Sequence, residues 1–140
     1  MDSHLDQNKI VIQSFCNIMR PILGAELMVV DQSMIAVAGT GPYKKNIGSR
    51  RPRDSYVDLT LKSGKGFHIG SPGETEQCLR CEMRSFCTYT SVISHPIKYH
   101  NRIVGLFGLL GYDKNQQATM QRQNQFLSNL SENIGNYIVK

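Results

Sequence analysis

The sequence predicts an α+β domain in which an antiparallel sheet is flanked by N-terminal and C-terminal helices. Apolar residues recur at helical spacing near both ends of the 140-residue chain, and short apolar runs separated by polar turns lie between them. With 40% hydrophobic and 19% charged residues, the chain has enough apolar material for one hydrophobic core. We therefore expect a single domain spanning residues 1–140.

The N-terminal half begins with an amphipathic segment. Apolar residues recur every three or four positions across residues 7–20, which predicts a helix that stops near Pro21. Residues 26–30 and 34–38 are β-type runs joined by a short polar turn, so they predict an antiparallel pair of strands. The next stretch, residues 39–73, is rich in Gly, Pro and charged residues, and its sequence predicts no regular element.

The C-terminal half contains the strongest sheet signal. Residues 91–99 alternate apolar and polar side chains, and the chain then turns and returns through residues 103–110. Because this second run is apolar on both faces, we expect the hairpin at the centre of the sheet. Residues 113–116 offer a capping box for a final amphipathic helix that continues to the end of the chain.

Charge and hydropathy narrow the range of partners. The net charge is 16 − 11 = +5, but no recognition-helix pattern accompanies it, so we expect no direct nucleic-acid binding. No apolar run approaches the ~20 residues that span a bilayer, and the N-terminus does not resemble a signal peptide. We expect a cytoplasmic protein with no membrane contact. One basic run is typical of a solvated loop, with anion binding as the alternative: Lys44, Lys45, Arg50, Arg51 and Arg53.

Three cysteines, Cys78, Cys81 and Cys87, follow a C-x2-C-x5-C pattern. Residues 71–74 carry an N-cap, a first-turn proline and a capping-box glutamate, which predict a short helix with Cys78 and Cys81 on one face. Thiolates gathered this closely repel one another unless a cation neutralises them, so we expect a metal centre, either zinc or an iron–sulfur cluster. The candidates for a fourth ligand, or for contact with another ligand, are Cys16, His68 and His95.

Other readings of the cysteines remain open. Cys78 and Cys81 could form a redox-labile dithiol, or all the thiols could be structural. In the second case, a small-molecule effector would bind in a pocket between the sheet and residues 39–73. A nucleophilic Cys87 would need a histidine and an orienting group, and no local signature supports one, so we expect no enzymatic activity.

Four segments together resemble a known family: residues 71–74, 78–87, 95–99 and 102–109. They are similar to the amino-terminal sensory domain of sigma-54-dependent transcriptional activators of Firmicutes, a PAS/GAF-like module with three cysteines. The order of elements is also that of PAS/GAF sensory domains. The resemblance implies a PAS/GAF-like antiparallel sheet between helices and a signal-sensing function.

The same resemblance implies partners. Such activators carry a downstream AAA+ ATPase and a DNA-binding domain, and the terminal helices would form a homodimer that passes the signal on. No G-x-x-x-x-G-K-[ST] motif occurs in this sequence. We therefore expect the chain to be the sensor excised from a longer regulator.

Overall fold

Five strands form one antiparallel sheet in the computed structural model of the chain, which describes residues 4–70, 81 and 87–138. The strands are β1 (Glu26–Asp31), β2 (Ala36–Gly39), β3 (Phe67–Ile69), β4 (Ser91–Tyr99) and β5 (Arg102–Gly111). Their order across the sheet is β2-β1-β5-β4-β3. The α+β class with an antiparallel sheet between N-terminal and C-terminal helices is confirmed.

The hairpin of β4 and β5 lies at the centre of the sheet, as its sequence predicts. β5 is the middle strand, and all its residues from Gly105 to Gly111 are buried. Burial on both faces is the reason that this strand is apolar in every position rather than in every second one. The hairpin closes through His100 and Asn101, whose φ angles are 52° and 64°.

One face of the sheet is covered by helices from the two ends of the chain. They are α1 (His4–Gln7), α2 (Lys9–Leu23), α4 (Lys114–Arg122) and α5 (Asn124–Ile138). The main core lies between α2, α5 and the sheet, where Ile12 and Leu127 pack with the strand residues Leu27 and Phe107. None of the helices in the described part of the chain is long and apolar enough to cross a membrane.

Two helix boundaries differ from the predicted ones. α2 continues through Pro21 to Leu23 and ends at Gly24, which adopts a left-handed conformation with a φ of 69°. Proline in the last turn costs a backbone hydrogen bond, and burial of Leu23 in the core offsets that loss. The C-terminal helix is divided at Gln123 into α4 and α5.

The opposite face of the sheet is covered by residues 41–63. This segment forms a 3-10 helix, Gly41–Asn46, and α3, Tyr56–Ser63. Ser55 caps α3, and Gly64 ends it with a φ of 71°. A second cluster of buried residues lies beneath these elements, centred on Tyr43 and Leu106. Apart from Cys81, the helix predicted over residues 71–81 lies outside the described residues.

Candidate functional site: a cavity on one face of the sheet

A cavity of about 330 Å³ lies between the sheet and residues 42–57, on the face opposite α2 and α5. Its volume is in the range of small-molecule binding sites. The strands contribute Met28, Val92, Ser94 and Leu110 to its floor. The cavity therefore lies where the small-molecule alternative expected a pocket.

The floor depends on one glycine and one buried hydrogen bond. Gly108 faces the cavity side beside Met28, and a Cβ atom at Gly108 would lie 2.4 Å from Met28 Cε. Glycine here lets the Met28 side chain lie flat along β5. The Ser94 hydroxyl on β4 lies 2.8 Å from the Thr60 hydroxyl on α3, so α3 is joined directly to the sheet beside the cavity.

The wall opposite the sheet is built from the segment whose structure the sequence did not predict. Its cavity-lining residues include polar, apolar and basic side chains: Pro42, Lys45, Asn46, Arg51, Pro52, Ser55, Tyr56 and Val57. The Ser55 hydroxyl accepts a hydrogen bond from the Asp58 amide at 3.4 Å, which fixes the start of α3. The Gly/Pro-rich segment is thus an ordered wall of the cavity.

Arg51, Tyr89 and Tyr112 form the polar corner of the cavity, and the guanidinium of Arg51 lies over the ring of the buried Tyr43. The guanidinium carbon of Arg51 lies 5.4 Å from the centroid of the Tyr43 ring, and its charge lies near Tyr89. The rings of Tyr89 and Tyr112 pack against each other, with their centroids 5.3 Å apart. Burial raises the pKa of Tyr89, and Arg51 opposes that rise. Burial likewise raises the pKa of Tyr43 and of Tyr112, so all three hydroxyls are neutral at physiological pH.

Two of the predicted cysteine ligands line this cavity. Cys81 is half-buried and Cys87 is exposed, and both lie in the cavity wall near Tyr89. No disulfide joins these two described cysteines. Cys78 lies outside the described residues, so the predicted trio is seen only in part.

The structure does not bring Cys16, His68 and His95 to the cysteines of the cavity. Cys16 is fully buried in the core on the helix-covered face, where burial raises its pKa to about 12. His68 pairs with Ile93, which places it on that same face. Because the sheet lies between, Cys16 cannot be a fourth ligand for Cys81 and Cys87 in this fold.

His95 also lies on the helix-covered face, two positions after Ile93 on β4. Burial lowers its pKa, and the nearby Glu132 carboxylate on α5 opposes that shift. Within the described residues, no three His, Cys, Asp or Glu side chains are grouped as a metal site would require. The predicted fourth ligand is therefore not identified among His68 and His95.

A buried carboxylate joins the cavity side to the terminal helices. Glu26 on β1 accepts hydrogen bonds from Arg20 of α2 (3.0 Å), from Gln116 of α4 (2.8 Å) and from the Thr40 hydroxyl (2.9 Å). Gln116 in turn accepts a hydrogen bond from the backbone amide of Tyr112, a cavity residue, at 2.8 Å. One polar network thus joins the cavity residue Tyr112 to both α2 and α4.

Solved structures with this architecture include several GAF domains. The GAF domain of A. aeolicus Nlh2 matches 91% of this chain and 82% of its own length, with a TM-score of 0.62 at 10% identity. A GAF domain from an Acinetobacter phosphoenolpyruvate-protein phosphotransferase matches with a TM-score of 0.60 at 10% identity, covering 93% of this chain and 82% of its own. The chain has the GAF fold.

A third structure with the GAF fold is an enzyme. It is the type II free methionine-R-sulfoxide reductase of Thermoplasma acidophilum, with a TM-score of 0.66 at 15% identity over 96% of this chain and 94% of that one. Identities this low show the fold and not the activity. The fold alone therefore does not distinguish a sensor from an enzyme, and the residues of the site have to be considered.

Sequence comparison connects this GAF domain to a class of regulator. No protein-family model matches the chain. It is 26% identical over 116 residues to UacR of Escherichia coli strain K12, a sigma-54-dependent transcriptional regulator whose name assigns it to uric acid. The match covers 82% of this chain and about a fifth, 20%, of UacR. The resemblance to sensory domains of sigma-54-dependent regulators is confirmed, whereas the expected origin in Firmicutes is not.

Sequence reasoning missed most of the polar corner. Arg51 stood out only as one member of a basic run, and nothing in the sequence separated it from its neighbour Arg50. Tyr43, Tyr89 and Tyr112 come from three distant segments that the fold brings together.

Proposed function

We propose that this GAF domain is the signal-sensing part of a sigma-54-dependent transcriptional regulator, and that it binds a small-molecule effector in the cavity. The observation that carries the proposal is the 330 Å³ cavity, whose walls combine apolar side chains with one polar corner. Similarity to UacR supports the regulatory role. The domain has no enzymatic activity and works in the cytoplasm. The rest of the regulator supplies an AAA+ ATPase and a DNA-binding domain.

The signal leaves the cavity through the terminal helices. A ligand shifts a conformational equilibrium only if it binds one state more tightly than the other. Tyr112 lines the cavity and is one hydrogen bond away from Gln116, which contacts Glu26 and so Arg20 of α2. A ligand that moves Tyr112 would therefore change how α2 and α4 are held on the sheet.

The domain works as a homodimer through its terminal helices. α2 leaves several large apolar side chains exposed to solvent: Ile10, Val11, Ile18 and Ile22. Phe126 of α5 is 61% exposed as well. Apolar side chains of this size, clustered on one helix, are typical of a surface that another protein covers. The occupant is a second copy of this chain, since pairing of sensor helices would carry the signal to paired ATPase domains.

The proposed effector site is tested by NMR of the methionine methyl groups, with Met28 as the reporter in the cavity floor. Urate, nitrate, free methionine sulfoxide and a library of small metabolites are titrated, because names of similar proteins include the first three. At least one compound should shift the Met28 signal. Val57→Phe, which fills the cavity from α3, should abolish that shift.

A matched substitution on the other side of the domain serves as the control. Ala118 is exposed on α4 and outside the proposed dimer surface, so Ala118→Phe should leave the Met28 shift unchanged. Binding that survives Val57→Phe, or a library without any compound that shifts the Met28 signal, contradicts the proposed effector site.

Sensing through the cysteines is a second candidate, favoured by the position of Cys81 and Cys87 in the wall of the same cavity. In this version, Cys78, Cys81 and Cys87 hold zinc or an iron–sulfur cluster, or are oxidised directly. Metal, iron and sulfide analysis of oxygen-free protein tests it. A bound metal should be lost in Cys81→Ser and kept in Cys16→Ser, because Cys16 lies beyond the sheet. Metal-free protein whose thiols withstand mild oxidants would contradict this version.

A further inference from the structure

Arg51 is the charged group most closely built into the cavity. It is half-buried and lies in the wall, between the ring of Tyr43 and the hydroxyl of Tyr89. Tyr43 is completely buried, so its ring is a fixed surface against which the guanidinium rests. A guanidinium has five N–H donors that can bind an anionic ligand. Arg51 is therefore held in place with donor groups to spare.

No carboxylate in the described part of the chain balances the charge of Arg51. Among residues 4–70, 81 and 87–138, no Asp or Glu lines the cavity, and none forms an ion pair with Arg51. Its neighbours Tyr43, Tyr89 and Tyr112 are neutral because burial raises the pKa of each hydroxyl. An anion that enters the cavity beside this half-buried cation would supply it with a counter-charge.

The remainder of the cavity favours a flat apolar body. Tyr56, Tyr89 and Tyr112 contribute aromatic rings, and the floor is formed largely by Met28 and Leu110. Tyr89 and Tyr112 meet edge to face, with their planes at 80°. Aromatic walls pack well against planar groups, and a methionine side chain adapts to their shape.

We propose that the effector is a small planar organic anion, with its charged oxygen atoms bound by Arg51 and its ring packed between the tyrosines and Met28. Aromatic carboxylates and urate-type enolates share this chemistry. The inference rests on the proposed function, since it assigns the ligand class of the same cavity.

The ligand class is tested with pairs of compounds that differ in charge and hardly in shape. Benzoate is compared with benzamide, and nicotinate with nicotinamide, at constant ionic strength, with the Met28 methyl signal as the readout. Acetate serves as an anion without a ring. The two carboxylates should bind about tenfold more tightly than their amides, the size expected of a charge-assisted hydrogen bond, and more tightly than acetate, which has no ring to bury.

Substitutions of neighbouring arginines assign the effect to one side chain. Arg51→Gln should remove the preference for the carboxylates and leave amide binding unchanged. Arg51→Lys, which keeps the charge but loses the planar fork, should retain the preference in weaker form and so shows that loss of structure is not the cause. Arg50→Gln should change nothing, because Arg50 is exposed and does not line the cavity.

The outcomes separate this inference from the function on which it rests. Equal binding of amides and carboxylates, unaffected by Arg51→Gln, overturns the anion assignment and leaves the effector cavity in place. A Met28 signal that neither benzoate nor nicotinate shifts at millimolar concentrations also overturns the inference. In that case, the metabolite library and Val57→Phe decide separately whether the cavity binds an effector at all.

Discussion

The side chain of Glu26 is only 3% exposed. Its hydrogen bonds decide whether this buried carboxylate stabilises or destabilises the folded protein. Burial alone would raise its pKa, but hydrogen bonds from Arg20, Gln116 and Thr40 more than compensate, so the pKa of Glu26 lies below its ordinary value. The folded protein therefore holds the ionised carboxylate more favourably than the unfolded chain does. This contribution is present above the pKa of the unfolded chain and is lost as the pH falls through the folded value.

Glu26→Gln should lower the free energy of unfolding at neutral pH by roughly 1–3 kcal/mol, because three donors lose a charged acceptor. As the pH falls below about 4.3, the ordinary pKa of glutamate, the wild type loses this advantage and the two proteins should converge in stability. Urea denaturation at a series of pH values measures the difference. Glu132→Gln, at an exposed position on α5, is the control. A stability difference that stays constant down to acid pH would rule out the proposed role of the Glu26 charge.

At the scale of elements, local patterns predicted the structure where they were strong. The β4–β5 hairpin was predictable because alternation, a polar turn and an apolar return strand all agreed. α3 was missed, since it has only eight residues in a segment rich in Gly and Pro, and its capping by Ser55 is visible only once the helix is known. The end of α2 was misplaced because burial of Leu23 outweighed a local proline signal.

The turn of this hairpin is a place where the sequence does not match the backbone. His100 and Asn101 both have positive φ angles, 52° and 64°, and form the two-residue connection between paired Tyr99 and Arg102. Such turns favour Asn-Gly. Replacing both residues, with His100→Asn and Asn101→Gly, should raise the free energy of unfolding by about 1 kcal/mol, because a left-handed conformation costs an ordinary side chain about that much.

Chemical denaturation of the double variant measures the gain. Asn101→Ala should have the opposite effect and destabilise the domain, because alanine tolerates a positive φ less well than asparagine does. Equal stabilities of the three proteins would show that the turn carries no strain.

At the scale of the whole molecule, the sheet decides which residues can share a site. The sequence made both Cys16 and Cys81 candidate ligands of one metal site, but they lie on opposite sides of the five-stranded sheet. That separation depends on which face of the sheet packs against α2. No local pattern in the sequence predicts this choice. Likewise Arg51 and Tyr112 are 61 residues apart in number (112 − 51) and become neighbours only through the fold.

The exposed apolar surface of α2 allows a test of the proposed contact between two copies of the chain. If a second copy covers α2, a charge introduced at its centre must be buried on association, at a cost that dimerisation cannot recover. Ile18 is 64% exposed in the middle of this surface, so Ile18→Glu should change the sedimentation mass from two protomers to one without loss of fold. Ile47→Glu introduces the same charge at a 40% exposed position after the 3-10 helix, and should leave the dimer intact. Wild-type protein that sediments as a monomer would show that α2 serves no homodimer in this chain, whereas a dimer that withstands Ile18→Glu would place the interface elsewhere.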